Sequence, residues 1–349
     1  MKKILFTLVA LFGCATMSIA QTSFIATLSH EGQFTHYYGA GALTMAYDAA
    51  ADGDIVTLSP GTFTFSGKFE KGITLRGAAA EGSATTTISG EVNFYSTDSK
   101  RVTVVEGIRF SGDVHVFNDA SGTGQGTIKF IKDIFASVQA YIASSYSTDA
   151  GPAVRFYNCA LYAFYFNANT YPDYLFYNCY VENPYSSGTN FSDNISAFVN
   201  CVIRWTTYWS ELTHYLNFYN CIFNWTYNGY GGSSSAYLLP NTTTCYNCLS
   251  INKSKLFDNL VSGGNNYKAS NASDVFTSYR DGHIAGETFA LTEEAKAAYI
   301  GTDGKEIGMQ GGYYPYNTTL QYPVITKFNP DPQTNKAGML NVEVEVDGK

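Results

Sequence analysis

Charged side chains are scarce: Asp, Glu, Lys and Arg make up 14% of the 349 residues, and the formal net charge is -8. A protein that tracks nucleic-acid phosphates needs a basic face. No stripe of Lys and Arg occurs in the sequence, so nucleic acid drops out as a partner. Long Leu, Glu and Lys helical patterns are scarce as well, which argues against helical solenoids. Past the first twenty residues no segment is apolar and long enough to cross a bilayer, so no membrane span is expected. Paired histidines and a second Cys-x-x-Cys are also missing, and without that spacing no metal is assigned.

Tyr (28), Phe (24) and Gly (32) are abundant, and 45% of the residues are hydrophobic, enough to bury a large core. Aromatic and β-branched residues fit pleated, half-buried surfaces, and this composition favours an all-β chain. The opening "MKKILFTLVALFGCATMSIAQ" has two lysines, an apolar run from Ile4 to Gly13 and small residues at Ser18 and Ala20. That is the pattern of a secretory signal peptide over residues 1–20, so the protein is expected to be secreted or held at the cell surface. The alternative, lipoprotein anchoring at Cys14, is poorly served by Phe12, which is too large for the small-residue recognition sequence.

A tetrapeptide recurs. "RFYNCALYAF" from Arg155 is followed by "LFYNCYVEN" from Leu175, "AFVNCVIRW" from Ala197, "NFYNCIFNW" from Asn217 and "TCYNCLSIN" from Thr244. The cysteines, Cys159, Cys179, Cys201, Cys221 and Cys248, are separated by 20, 22, 20 and 27 residues. A period of this size signals stacked repeats, here coils of short parallel strands. By alternation, Phe156, Phe176, Phe198 and Phe218 point inward at a strand end and the next residue points outward. The corner is turned by Asn158, Asn178, Asn200, Asn220 or Asn247, and the cysteine starts the next strand facing in. Asparagine tolerates the left-handed conformation, and its amide is expected to bond the Asn one rung away. Leu161, Val181, Ile203 and Phe223 follow, again inward. Fainter copies lie upstream: "KFIKDIF" aligns Asp133 with the cysteines, "TVVEGIRF" aligns Gly107, and "GITLRG" ends another coil at Gly77.

The stretch "GALTMAYDAAADGDIVTLSPGTFTFSGKFEKGITLRG", Gly41 to Gly77, resembles the entry to right-handed parallel β-helix proteins of the pectate-lyase-like superfamily. That resemblance implies a capping helix at about Ala42 to Ala51 and turns at Asp52 to Asp54 and Pro60 to Thr62. "GTDGKEIGMQGG", Gly301 to Gly312, is similar to the closing motif of secreted β-helix proteins of Bacteroidetes. The expected architecture is a single-stranded right-handed parallel β-helix of about ten coils, roughly 48 Å long at ~4.8 Å per rung. It would occupy residues 21–312, with a C-terminal extension over 313–349, and is expected to be monomeric.

The resemblance does not decide activity, because the superfamily mixes lyases, hydrolases and proteins of no known activity. Its lyases hold calcium with Asp and Glu and use Arg or Lys as base; its hydrolases use Asp on adjacent rungs. The sequence contains no Asn-Thr-Asp, Asp-Asp, Gly-His-Gly or Arg-x-Lys signature. The candidate catalytic residues are Asp113 and His115, one face of "GDVHVFND", with His115 expected to stack over Tyr141 and Asn167. "RDGHIAG" around His283 reads as a turn.

The cysteines are expected to form a buried column of free thiols, because in-register side chains point the same way and miss the roughly 90° torsion of a disulfide. Cys245 falls on the inward Phe position. Trp205 and Trp225 fall inward by alternation, while Trp209, Tyr165, Tyr185 and Tyr227 are unassigned. Tyr157, Tyr177, Tyr219 and Tyr246 occupy the outward position before the corner, interrupted by Val199. Such rings suit sugar faces, and packing between neighbouring strands is the simpler explanation. The expectation is an exported protein that binds a polysaccharide or other glycan and needs no cofactor. The alternatives are a lyase or glycoside hydrolase acting on acidic polysaccharide, calcium-dependent if a lyase, and a structural or adhesive surface protein.

Overall fold

The computed structural model describes residues 24–96, 100–118, 126–142, 153–167, 173–187, 196–205, 216–225, 238–279, 287–320, 324–330 and 342–347, with the backbone alone at some strand ends and in the last two segments. Short strands stack in parallel into a β-solenoid whose first sheet has twelve strands. Two of these are an antiparallel hairpin, Ile25–His30 and Gln33–Tyr38, which adds to the first rung, Ile55–Leu58. Nine more rungs follow in unbroken parallel order to Ser262–Gly264. The second sheet carries the next strand of each coil, from Gly61–Thr64 to Tyr267–Ala269. In four coils a further strand, Gly67–Phe69, Val92–Ser96, Phe164–Asn167 or Pro184–Ser187, extends it as a third wall, and between them Arg109–Asn118 and Ile134–Ile142 run on into the same wall.

The coil interior is a stack of identical side chains. Phe130, Phe156, Phe176, Phe198 and Phe218 pair in register, with ring centroids 5.1, 4.8, 4.3 and 4.9 Å apart and nearly parallel planes. Beside them runs the thiol column, whose five corner cysteines and Cys245 are free and buried. Each corner Sγ donates to the carbonyl of the Phe one rung back, from Phe130 to Phe218, at 3.3 to 3.5 Å. Burial pushes the thiols of Cys159, Cys201 and Cys248 up, which keeps them neutral. Trp225 joins this core; the side chain of Trp205 lies outside the described residues.

The corner is left-handed in every repeat: Asn158, Asn178, Asn200, Asn220 and Asn247 have φ between 51 and 56°. Upstream, Lys132 (φ 58°) and Gly107 (φ 68°) occupy the same place. Because Ile131 pairs with Glu106, Gly107 aligns with the corner Asn and not with the cysteines; Ile108 stands at the cysteine position, one residue later than the sequence reading put it. Asp133 does occupy a cysteine position, fully buried, accepting from the backbone N–H of Ile108 (2.8 Å) and Ile131 (3.0 Å). Burial pushes its acid group up.

The helix Ala42–Ala49 buries Ala42, Leu43, Ala46 and Tyr47 against the first coil. It ends where Lys71 Nζ donates to the carbonyls of Tyr47, Asp48 and Ala50 at 2.7 to 2.9 Å, satisfying acceptors that a helix terminus leaves open. Among the described residues no helix is long and apolar enough to cross a membrane.

Candidate functional site

The corner asparagines do not bond one another. The Nδ2 of Asn178 donates to the carbonyls of Met309 (2.9 Å) and Gly311 (2.8 Å), and that of Asn247 to Ile300 (2.7 Å). Asn220 Oδ1 accepts from Thr302 N at 2.8 Å, and its backbone carbonyl accepts from Gly308 N at 2.8 Å. Farther along, Lys132 Nζ donates to the Thr319 carbonyl, and a side chain at Gly107 would meet Leu320. The stretch likened to a closing motif, Gly301 to Gly312, is therefore part of a strap. From Ile300 to Leu320 it runs back along the corner, from the Asn247 rung to the Gly107 rung. Backbone atoms approach closely enough that a Cβ at Gly308 (φ 80°) would lie 2.6 Å from Ile222, and one at Gly312 (φ 74°) would collide with the amide nitrogen of Asn200.

The strap belongs to a cover over the outer face of the second sheet. Ala160, Tyr180, Val202, Ile222 and Leu249, each directly after its cysteine, form a second hydrophobic core with Phe276, Phe289, Leu291, Ile307, Met309 and Tyr316. Tyr180 stacks on Phe289 at 5.3 Å, and its hydroxyl donates to Glu182 Oε2 at 2.8 Å. Glu182 pairs with Arg204 (3.2 Å), and Asn224 donates to the Tyr279 hydroxyl (3.0 Å). This face is occupied by the chain itself.

The outer face of the first sheet carries the tyrosines. Tyr157 and Tyr177 stack at 5.4 Å with planes 6° apart, and Tyr219 and Tyr246 at 5.7 Å and 11°. The rings cover each other, so within each pair the flat faces expected to meet a sugar are shared and the edges and hydroxyls are outermost. The strap adds two aromatics that the sequence reading missed: Tyr313 and Tyr314 are 74% and 72% exposed. Burial, then the charges of Tyr177 and of Tyr314 on the strap, push the Tyr157 hydroxyl up. Lys305 Nζ sits 3.8 Å from the Tyr313 ring centre. The repeated Tyr-Tyr beside a double glycine was the available signal, but nothing local says where a strap will lie.

Asp113 and His115 lie on a different wall. Asp113 is exposed and pairs with Ser137; His115 pairs with Gln139 and Asn93, not with Tyr141. The column continues to Tyr165 and Tyr185, while Asn167 pairs with Ser187. The two-residue error has two sources: the corner set one residue early at Gly107, and a one-residue bulge between Phe110 and Asp113. The His115 ring nitrogen Nδ1 lies 3.2 Å from Asn93 Oδ1 and 3.4 Å from Glu91 Oε1. Among the described residues no group of three His, Cys, Asp or Glu side chains is placed to hold a metal ion. His283, Trp209 and Tyr227 lie outside the described residues, as do residues 1–20 with Cys14.

These features define a parallel β-solenoid with one self-covered face and one tyrosine-bearing face. No protein family, no curated protein and no solved structure matches the chain.

Proposed function

We propose that the protein is an exported, glycan-binding surface protein that uses the outer face of its first sheet. The observation that carries this reading is the gathering of Tyr157, Tyr177, Tyr219 and Tyr246 on an outer face that the cover leaves bare, with the exposed Tyr313 and Tyr314 on the strap beside it. Tyrosine combines apolar ring area with a hydroxyl that can hydrogen-bond, which suits the alternating C–H and O–H surface of a sugar. The export signal read over residues 1–20 and the likeness to the pectate-lyase-like superfamily support an extracellular role.

The test is a glycan array followed by retardation gels. A ligand is expected, and replacing Tyr157, Tyr177 and Tyr219 together by Ala is expected to weaken it at least tenfold, or about 1.4 kcal/mol, while the circular dichroism spectrum stays unchanged. Ultraviolet absorbance during incubation with polyuronates and calcium checks the lyase alternative. Release of unsaturated ends that disappears on substituting Asp113 or His115 would replace the binding reading with an enzymatic one.

A further inference from the structure

Strand pairing puts Ile131, Tyr157, Tyr177, Val199, Tyr219, Tyr246 and Gly264 in one outward column. Inside each tyrosine pair the rings are 5.4 or 5.7 Å apart, too close to admit anything. At Val199 the column breaks. Tyr177 and Tyr219 are two rungs apart, about 9.6 Å at the usual strand spacing of ~4.8 Å. A ring inserted midway would lie ~4.8 Å from each tyrosine, within the ~4.5–7 Å range in which rings stack.

The neighbouring column dips at the same rung. Ala197 is flanked by Leu175 and Asn217, so both outward positions of Ala197–Val199 are smaller than those on either side. The strap reaches this rung at Gly312, where a Cβ would collide with Asn200 and the carbonyl accepts from Lys305 Nζ at 3.0 Å. At the end of the dip Asn200 Oδ1 is buried, in a residue 5% exposed, and has no hydrogen-bond partner.

We propose that Tyr177 and Tyr219 are the walls, and Val199 with Ala197 the floor, of a slot that holds one pyranose ring of a β-linked glycan. This rests on the carbohydrate reading above and adds the site and the sugar class. A ring with equatorial substituents presents axial C–H groups to both tyrosine faces and keeps its hydroxyls and glycosidic bonds near its own plane. That plane is parallel to the strands. The glycan chain therefore crosses the sheet along Ala197–Val199, perpendicular to the solenoid axis, in the direction in which the dip runs.

The test uses cellohexaose as the probe, with affinity measured by calorimetry on the full chain. Val199→Tyr fills the gap with a ring that continues the column. It is expected to reduce affinity at least tenfold with the melting temperature unchanged or raised, whereas Phe34→Ala, which removes an exposed ring from the hairpin strand Gln33–Tyr38 at the edge of the same sheet, stays within about threefold of the parent protein. Binding that survives Val199→Tyr but is lost in the triple tyrosine variant overturns the slot and leaves the glycan-binding face standing. No binding of cellohexaose, while another array glycan binds, overturns the assigned sugar class. No binding of any glycan overturns both.

Discussion

The two sheets of the solenoid are built from the same repeat, yet they bury their residues differently. Strands of the first sheet alternate, as in Ala153–Tyr157 and Asp173–Tyr177, where every second residue is buried. Under the cover, strands of the second sheet are buried on both sides, as with both residues of Ala160–Leu161, all four of Ile222–Trp225 and all three of Leu249–Ile251, whereas Gly61–Thr64 and Tyr267–Ala269 at the ends of the sheet are not. The inward side chains of both sheets meet the same core. What differs is the outer face, which on the second sheet is packed beneath residues 272–279 and 287–320 and on the first carries the stacked tyrosines. A sheet covered on both faces reads as a continuous apolar run and a half-covered one as alternation. The difference separates a face used for stability from one available for recognition.

The largest expected effect comes from equivalent truncations on the two faces. Tyr180→Ala removes a fully buried ring between the second sheet and Phe289, and a loss of about 3–5 kcal/mol is expected in urea denaturation. Tyr177→Ala, on the first sheet, is expected to cost about 1 kcal/mol or less. Equal losses would break the distinction between the faces.

An intermediate effect sharpens the role of the strap between them. Asn178→Gly keeps a left-handed corner available but deletes two hydrogen bonds to Met309 and Gly311, for an expected loss of about 1–2 kcal/mol. Asn178→Ala adds backbone strain and is expected to cost about 1 kcal/mol more. If the glycine variant were as stable as the parent, the strap bonds would contribute nothing, and the corner would be a backbone requirement only.

The smallest effect belongs to the exposed edge of the first sheet, where His30 Nδ1 meets Asp54 at 2.8 and 3.0 Å. The hydrogen bond and charge of Asp54 raise the His30 pKa above its ordinary 6.5. Burial pulls Asp54 up, but the Ala51 N–H and His30 outweigh it and hold its carboxyl below 3.8. A raised His stabilises fully below 6.5 and stops doing so as pH rises through its folded value. A lowered Asp stabilises above 3.8 and stops as pH falls through its folded value. The pair's contribution is therefore complete between about pH 4 and 6.5 and fades on either side. An NMR titration of His30 is expected to show a midpoint above 6.5 that returns toward 6.5 in Asp54→Asn; a midpoint at or below 6.5 in the parent protein would remove this edge contact from the account.

Much of the coil was legible because each rung repeats one local solution. Phe, outward residue, Asn and Cys recur at a period that only stacking can use, and the left-handed corner selects Asn or Gly in most coils. Upstream the same corner is filled by Gly107 and Lys132; the alignment held at Asp133 and slipped by one residue at Gly107. The bulge after Phe110 added a second slip, which moved His115 onto Asn93 and Gln139. Neither shift leaves a local mark, since a bulge is recognised only against its partner strand.

Local alternation and period were sufficient by themselves to determine the solenoid, the inward Phe and Cys columns and the outward line of tyrosines, because neighbouring rungs repeat the same short-range geometry. The tertiary structure decided where the asparagine amides go, which outer face is covered and which tyrosines share their faces. Those depend on a strap that returns more than a hundred residues later in the chain, from Met309 and Gly311 to Asn178. Contacts at that separation are fixed by how the whole solenoid presents its corner, and no short-range pattern encodes them.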